Sequence, residues 1–198
     1  MGKLHSLVVL LFFVCLSSCL TAEEYAGTAP ADPDVLANEA GKIASAFASR
    51  LKPRLQAAMV KGGPAYAIEV CSTEAPSIAQ QLSAETGWSV KRVSLRHRNP
   101  NARPDSFEKE VLQSFDQRHE AGEPAATISH TEVVSGKLRF LKAQGVEPLC
   151  LTCHGQQLPE SVARRLSDLY PEDTARGYQA GEVRGAISLI SPGIVPAK

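Results

Sequence analysis

The chain has 198 residues, of which 43% are hydrophobic and 21% charged, with 21 Lys and Arg balanced by 21 Asp and Glu. That is the composition of one folded domain and argues against a disordered chain or a charged tail. A formal net charge of zero supplies no cation excess for a phosphate backbone or an acidic bilayer, so no nucleic-acid partner and no polybasic membrane contact is expected.

The first element in chain order is not part of the domain. Lys3 precedes an unbroken run of Leu, Val and Phe over residues 7–14, and Ser17 and Ser18 follow. A short apolar core behind a positive start is an export signal, too short and wrongly flanked for a spanning helix. Leu16-Ser17-Ser18-Cys19 resembles the bacterial lipoprotein signal, in which the cysteine is lipidated and becomes the new N-terminus. The competing reading is a plain secretory cut near Ala22, to which Leu20 is a poor match. The expected organisation is a signal peptide over residues 1–18, a flexible Ala/Thr/Pro-rich tether over 19–34 and one domain over 35–198. It is held on the periplasmic side of a bacterial membrane through lipid on Cys19, or is soluble in the periplasm under the competing cut.

Pro33-Asp34 opens a helix whose apolar residues Leu36, Ala40, Ile43, Phe47, Leu51, Leu55 and Met59 recur at spacings of three and four. Pro53 is expected to bend it, and Gly62-Gly63 to end it. A second helix starts at Pro64, carries Ile68, Cys71, Ala75, Ile78 and Leu82 on one stripe, is interrupted at Pro76 and stops at Gly87. Cys71 therefore faces inward. Residues 88–95 have strand composition, with a change of phase around Arg92 that a bulge would produce. A polar loop over 97–104 leads to Asp105-Ser106-Phe107-Glu108, a capping-box pattern that opens a helix with Phe107, Val111, Leu112 and Phe115 on one face. Residues 127–134 and 137–142 flank Ser135-Gly136 as a hairpin, with Leu138 and Phe140 on the same face. A helix over 160–169 and a strand over 183–190 finish the chain. Helices first, then antiparallel strands with helical insertions, give an α+β class.

Of the five cysteines, Cys15 leaves with the signal and Cys19 is the lipid site, so Cys71, Cys150 and Cys153 remain in an oxidising compartment. Cys150-Leu151-Thr152-Cys153-His154 is the C-x-x-C-H attachment sequence of c-type haem. Two intervening residues let both sulfurs form thioethers with the vinyl groups while the adjacent imidazole sits under the iron. One covalent haem per chain is expected. Three readings compete: a redox disulfide, which needs a βαβ setting missing around this motif; a zinc site, which needs a second Cys/His pair; and a structural disulfide.

His154 is expected to supply one axial bond, and the candidates for the sixth position are Met59, Cys71, His97, His119, His130 or an open site. Met59 also reads as core, His97 and His119 as surface residues, and His130 falls mid-strand as a runner-up. Iron ligation would protect Cys71 from oxidation, although its stripe position equally suits an inert buried cysteine. Arg92, Arg96, Arg98 and Arg139 are candidates for pairing with haem propionates, and each reads equally well as a solvated arginine.

Further segments belong together. They are Ala67-Ile68-Glu69-Val70-Cys71 with Ala75-Pro76-Ser77-Ile78-Ala79, Val93-Ser94-Leu95-Arg96 leading into Arg98-Asn99-Pro100-Asn101, the Cys150 motif with Gly155, Tyr170-Pro171-Glu172-Asp173-Thr174-Ala175-Arg176-Gly177-Tyr178, and Gly185-Ala186. From about Pro64 onward this ordered set resembles a bacterial family of exported monohaem c-type domains with a PAS-like fold, catalogued as a domain of unknown function. The resemblance implies thioethers at Cys150 and Cys153, His154 as proximal ligand and Cys71 as a thiolate ligand opposite. It also implies a five-stranded antiparallel sheet with flanking helices, of which the patterns above account for four strands, behind an N-terminal helical segment.

Such ligation predicts a low-potential, six-coordinate oxidised centre with no vacancy for substrate, so no enzyme activity is expected. Two functions then remain: a membrane-tethered electron carrier with a separate redox partner, and a redox or gas sensor. The sensor would release Cys71, shift the helix that carries it and signal through a separate protein. A catalytic haem enzyme would need an open site and a distal acid or base, for which His130 is the nominee.

Overall fold

The computed structural model describes residues 32–193. The expected signal peptide, the lipid site at Cys19 and the tether up to residue 31 lie outside the described residues. The chain enters helix α1 (Pro33–Thr86) directly, with the Asp32 carboxylate accepting from the Asp34 N–H at 2.9 Å. Within α1 one residue leaves helical geometry, Gly63 at φ 72° and ψ −171°, a region open essentially to glycine alone. The two helices read from the sequence are therefore the two arms of α1. Pro64 sits just past the break, where its missing N–H costs nothing, whereas Pro53 and Pro76 are carried within helical backbone.

The second arm folds back on the first. Arg50 Nη2 meets Glu85 Oε2 at 2.7 Å, and Arg54 pairs with Glu74 nearer the break. Half-exposed ion pairs add little stability. The arms are held by Leu36, Ala40, Ile43 and Phe47 packing with Ala75, Ile78, Ala79 and Leu82, which is what the spacings of three and four provide.

The remaining elements are β1 (Ser89–Val93), α2 (Ser106–Glu120), β2 (Ser129–Val134), β3 (Lys137–Gly145), α3 (Leu151–His154), α4 (Glu160–Leu169) and β4 (Val183–Ile190). The four strands form one antiparallel sheet in the order β1-β4-β3-β2. Ser135 (φ 51°) and Gly136 (φ 72°) make the two-residue turn that pairs Val134 with Lys137, since two positive φ values match the strands' twist. Trp88, Val90, Leu138, Phe140, Ile187 and Leu189 pack against α1, and Val111, Leu112 and Phe115 of α2 cover Val93, Leu141, Ala143 and Ala186 on the other face. Burying each large apolar side chain in these layers contributes roughly 1.5–3 kcal/mol.

Two expectations are corrected. The phase change in β1 is no bulge, because Ser89 to Val93 pair without a break opposite Ile190 to Ala186. Lys91 reaches Glu108 Oε2 at 2.8 Å on the α2 side, and Arg92 occupies the α1 side, so each of two successive polar residues serves one face. The register shift falls instead at Gln144/Gly145 of β3. A fifth strand is absent among the described residues: after β1 the chain turns back through Pro100–Ala102, with the Ser94 N–H donating to Ala102 O at 3.0 Å. No helix among the described residues is long and apolar enough to cross a membrane.

Candidate functional site

The segment that carries Cys150, Cys153 and His154 hangs from the end of β3 and is fixed at both ends by backbone bonds. Val146 N–H donates to Glu182 O and Gly181 N–H to Val146 O, both at 2.8 Å, tying its start to the turn before β4. Beyond α3, Tyr178 N–H donates to His154 O and Gly177 N–H to Gly155 O, both at 2.9 Å. Gly155 is required here because a Cβ would lie 2.5 Å from Leu151 O.

Arg98 locks this arrangement from the loop after β1. Its guanidinium donates to both oxygens of Asp173 (3.1 and 3.3 Å) and to Cys153 O (2.5 Å), and Asp173 also accepts from Ala175 N–H and Arg176 Nε at 2.9 Å. The Asp173 side chain is 0% exposed. Burial alone would raise its pKa, but hydrogen bonds from Arg98 and Arg176 outweigh it and hold the carboxyl below the usual range.

Ala175, placed by that ion pair, presents its carbonyl 2.8 Å from His154 Nδ1. Arg184 Nε lies 3.2 Å from the same nitrogen, yet an N–H cannot also accept, so the shorter contact sets the tautomer. Arg184 has acceptors of its own in Ser94 Oγ (2.9 Å) and Arg96 O (3.1 Å). With Nδ1–H donating to Ala175, Nε2 keeps its lone pair. Burial first, then the charges of Arg184 and Arg98, pushes the imidazole well below its ordinary pKa, so it is neutral, as a metal ligand must be. Burial also draws Arg184 down to about 10, still a cation at neutral pH.

A cavity of about 400 Å³ lies between α1, β1 and this segment. His154, Cys150 and Cys153 line one side, and Cys71, on the second arm of α1, lines another. Leu51, Leu55, Met59 and Ile68 supply apolar wall, and Tyr170 and Arg92 supply polar wall. All three cysteines are free thiols. Burial raises the Cys71 thiol despite the opposing charges of Arg92 and Arg98, and burial raises Cys153 as well. Among the described residues no group of three or more His, Cys, Asp or Glu is disposed to hold a metal ion.

The cavity sorts the candidates named from sequence. Cys71 and Met59 line it, and His97, His119 and His130 do not. His119 Nδ1 is engaged by Glu123 O at 3.1 Å, and His130 pairs with Glu132 at 3.1 Å and packs on Phe107. Arg92 and Arg98 line the cavity, whereas Arg96 stacks 3.6 Å from the centre of the Tyr178 ring and Arg139 pairs with Asp105 and Glu108 beneath α2. Sequence reasoning assigned no task to Asp173, Ala175, Tyr170 or Arg184. Three of the four lie in the Tyr170 to Tyr178 run, one of the segments that carry the family resemblance.

No curated protein matches the chain. Among solved structures it is similar to the cyanobacterial heme-protein Tll0287, with a TM-score of 0.64 and 23% identity over 84% of this chain and 100% of that one. That likeness carries the fold. The model of the Tll0287-like family matches residues 25–192, nearly the whole of the chain outside its first segment, and by that match the chain belongs to the Tll0287-like family.

Proposed function

We propose that the chain carries one haem, joined by thioethers to Cys150 and Cys153, with His154 and Cys71 as the ligands of its iron, and that it serves electron transfer on the periplasmic side of a bacterial membrane, anchored by lipid at Cys19. One observation carries the reading: Cys150, Cys153, His154 and Cys71 line the same cavity, although Cys71 lies far from the others in sequence. The residues suit the group. Two free thiols stand beside a neutral imidazole whose Nδ1 is already held by Ala175 O, and apolar side chains wall the remainder of the cavity. The solved structure to which the chain is similar is that of a heme-protein.

The haem, when bound, supplies a one-electron iron centre. His154 is oriented through Ala175 O, which Asp173 and Arg98 position in turn, and this chain fixes ring direction and tautomer before anything binds. Leu51, Leu55, Met59 and Ile68 exclude water from one side, which lowers the local dielectric. Cys71 would hold the iron as a thiolate and would favour its ferric state.

Spectroscopy of the purified haem form in both oxidation states, with Cys71→Ser beside it, tests the ligand set. A low-spin ferric thiolate signature that is lost in Cys71→Ser is expected, and an unchanged spectrum contradicts the assignment. A sensor reading is favoured by one feature, the Gly63 break that makes the arm bearing Cys71 a helical segment separate from the first arm. Carbon monoxide added to the reduced protein separates the two. No binding with fast reversible electron exchange supports the carrier, and binding with loss of Cys71 supports the sensor.

A further inference from the structure

Three arginines line the cavity, and two of them are committed to protein acceptors. Arg98 gives its donors to Asp173 and to the carbonyls of Cys153 and Ala175. Arg184 gives its donors to Ser94 Oγ and Arg96 O. Arg92 stands apart. The β1 register places it opposite Ile187, on the α1 side of the sheet and facing the cavity, where it makes no hydrogen bond or ion pair with any described residue, the Cys71 sulfur included.

A guanidinium carries five N–H donors and does not give up its charge in a protein, so taking it out of water without an acceptor is costly. Arg92 is half-buried, and what burial it has opposes its charge. The acids around the cavity offer no relief, because each already has a cation: Glu74 has Arg54, Glu147 has Lys52, and Asp173 has Arg98 and Arg176. The Arg92 donors are therefore left free at the cavity wall, and the anionic groups that a haem would bring there are its two propionates.

Resting on the haem reading above, we propose that Arg92 is the carboxylate-binding residue of the cavity, donating its planar fork to a propionate of the bound haem. The other candidates from sequence are thereby removed: Arg98 holds the Cys153 carbonyl and the Asp173 carboxylate, Arg96 lies on Tyr178, and Arg139 serves Glu108 on the far face of the sheet. Arg92 thus fixes which way the macrocycle faces. Its charge also disfavours ferric iron, partly offsetting the thiolate.

The test compares the holoprotein, matured in a host competent for covalent haem attachment, with Arg92→Lys and Arg92→Gln by resonance Raman spectroscopy and redox titration. The propionate-bending band is expected to move in both variants, further in Arg92→Gln, while iron–ligand bands stay as in the parent. Loss of the cation in Arg92→Gln is expected to raise the ferric-to-ferrous ratio at a fixed potential about tenfold, or ~59 mV for one electron, with most of the effect restored in Arg92→Lys. A propionate band unmoved in both variants overturns the proposal. So does a change confined to the iron–thiolate bands, which assigns Arg92 to Cys71 instead. Should Arg92→Gln fail to fold, the band position in Arg92→Lys decides. A parent protein that matures without colour overturns the haem reading and this inference with it, so the two failures are told apart by inspecting the parent alone.

Discussion

Asp173 shows how one buried carboxylate can hold a site together without touching what the site binds. It takes four hydrogen bonds, from Arg98 twice, Arg176 and the Ala175 N–H, and through Ala175 it aims His154. Replacing it with Asn leaves the Arg98 guanidinium, whose side chain is 12% exposed, without its counter-ion. Asp173→Asn is expected to cost about 3 kcal/mol near neutral pH, measured by denaturant unfolding. Because the folded carboxyl titrates below its unfolded value, its contribution is present above the ordinary carboxylate range and is lost as pH falls through the depressed value. The gap between parent and Asp173→Asn should therefore close on acidification, and a gap independent of pH would remove Asp173 from this role. Met59 gives the opposite expectation. It lines the cavity but belongs to the apolar wall, so the volume-conserving Met59→Leu should leave the ferric spectrum as it is, and loss of the low-spin signature would make Met59 the ligand in place of Cys71.

At the scale of elements, local chemistry was the readable part. The capping box at Asp105 and Glu108 and the Ser135-Gly136 turn each involve neighbours in sequence, and α2 and the hairpin form where those patterns lie. Gly62-Gly63-Pro64 likewise gave the break in α1. Gly63→Ala places a Cβ in a backbone region nearly closed to other residues and should cost about 1–3 kcal/mol, read as a lower melting temperature. A neutral result would mean that the break relaxes into continuous helix. The folding back of the arms was not legible, since it depends on pairs such as Arg50 with Glu85 that only the fold brings together. In β1 the sequence was legible but ambiguous: Lys91 and Arg92 side by side look like a slipped register until Glu108 is found buried on one face and the cavity on the other.

For the molecule as a whole, the order β1-β4-β3-β2 is what builds the site. Pairing the last strand with the first brings the Tyr170 to Tyr178 run and Arg184 beside the loop after β1, and so joins Arg98 to Asp173 and Ser94 to Arg184. No local pattern carries that information, which is why the Cys150 to His154 motif could be singled out from sequence while the residues that hold His154 could not. The sheet, with α1 on one face and α2 on the other, leaves the cavity at its α1 side near the Cys150 segment. The account's central claim is that a haem is joined covalently through Cys150 and Cys153. Intact-mass analysis of protein matured in a host with c-type attachment machinery tests it directly. The mass of the polypeptide plus one haem, retained under denaturing conditions and lost in Cys150→Ser/Cys153→Ser, is the predicted result; the mass of the bare polypeptide from a colourless sample would contradict it.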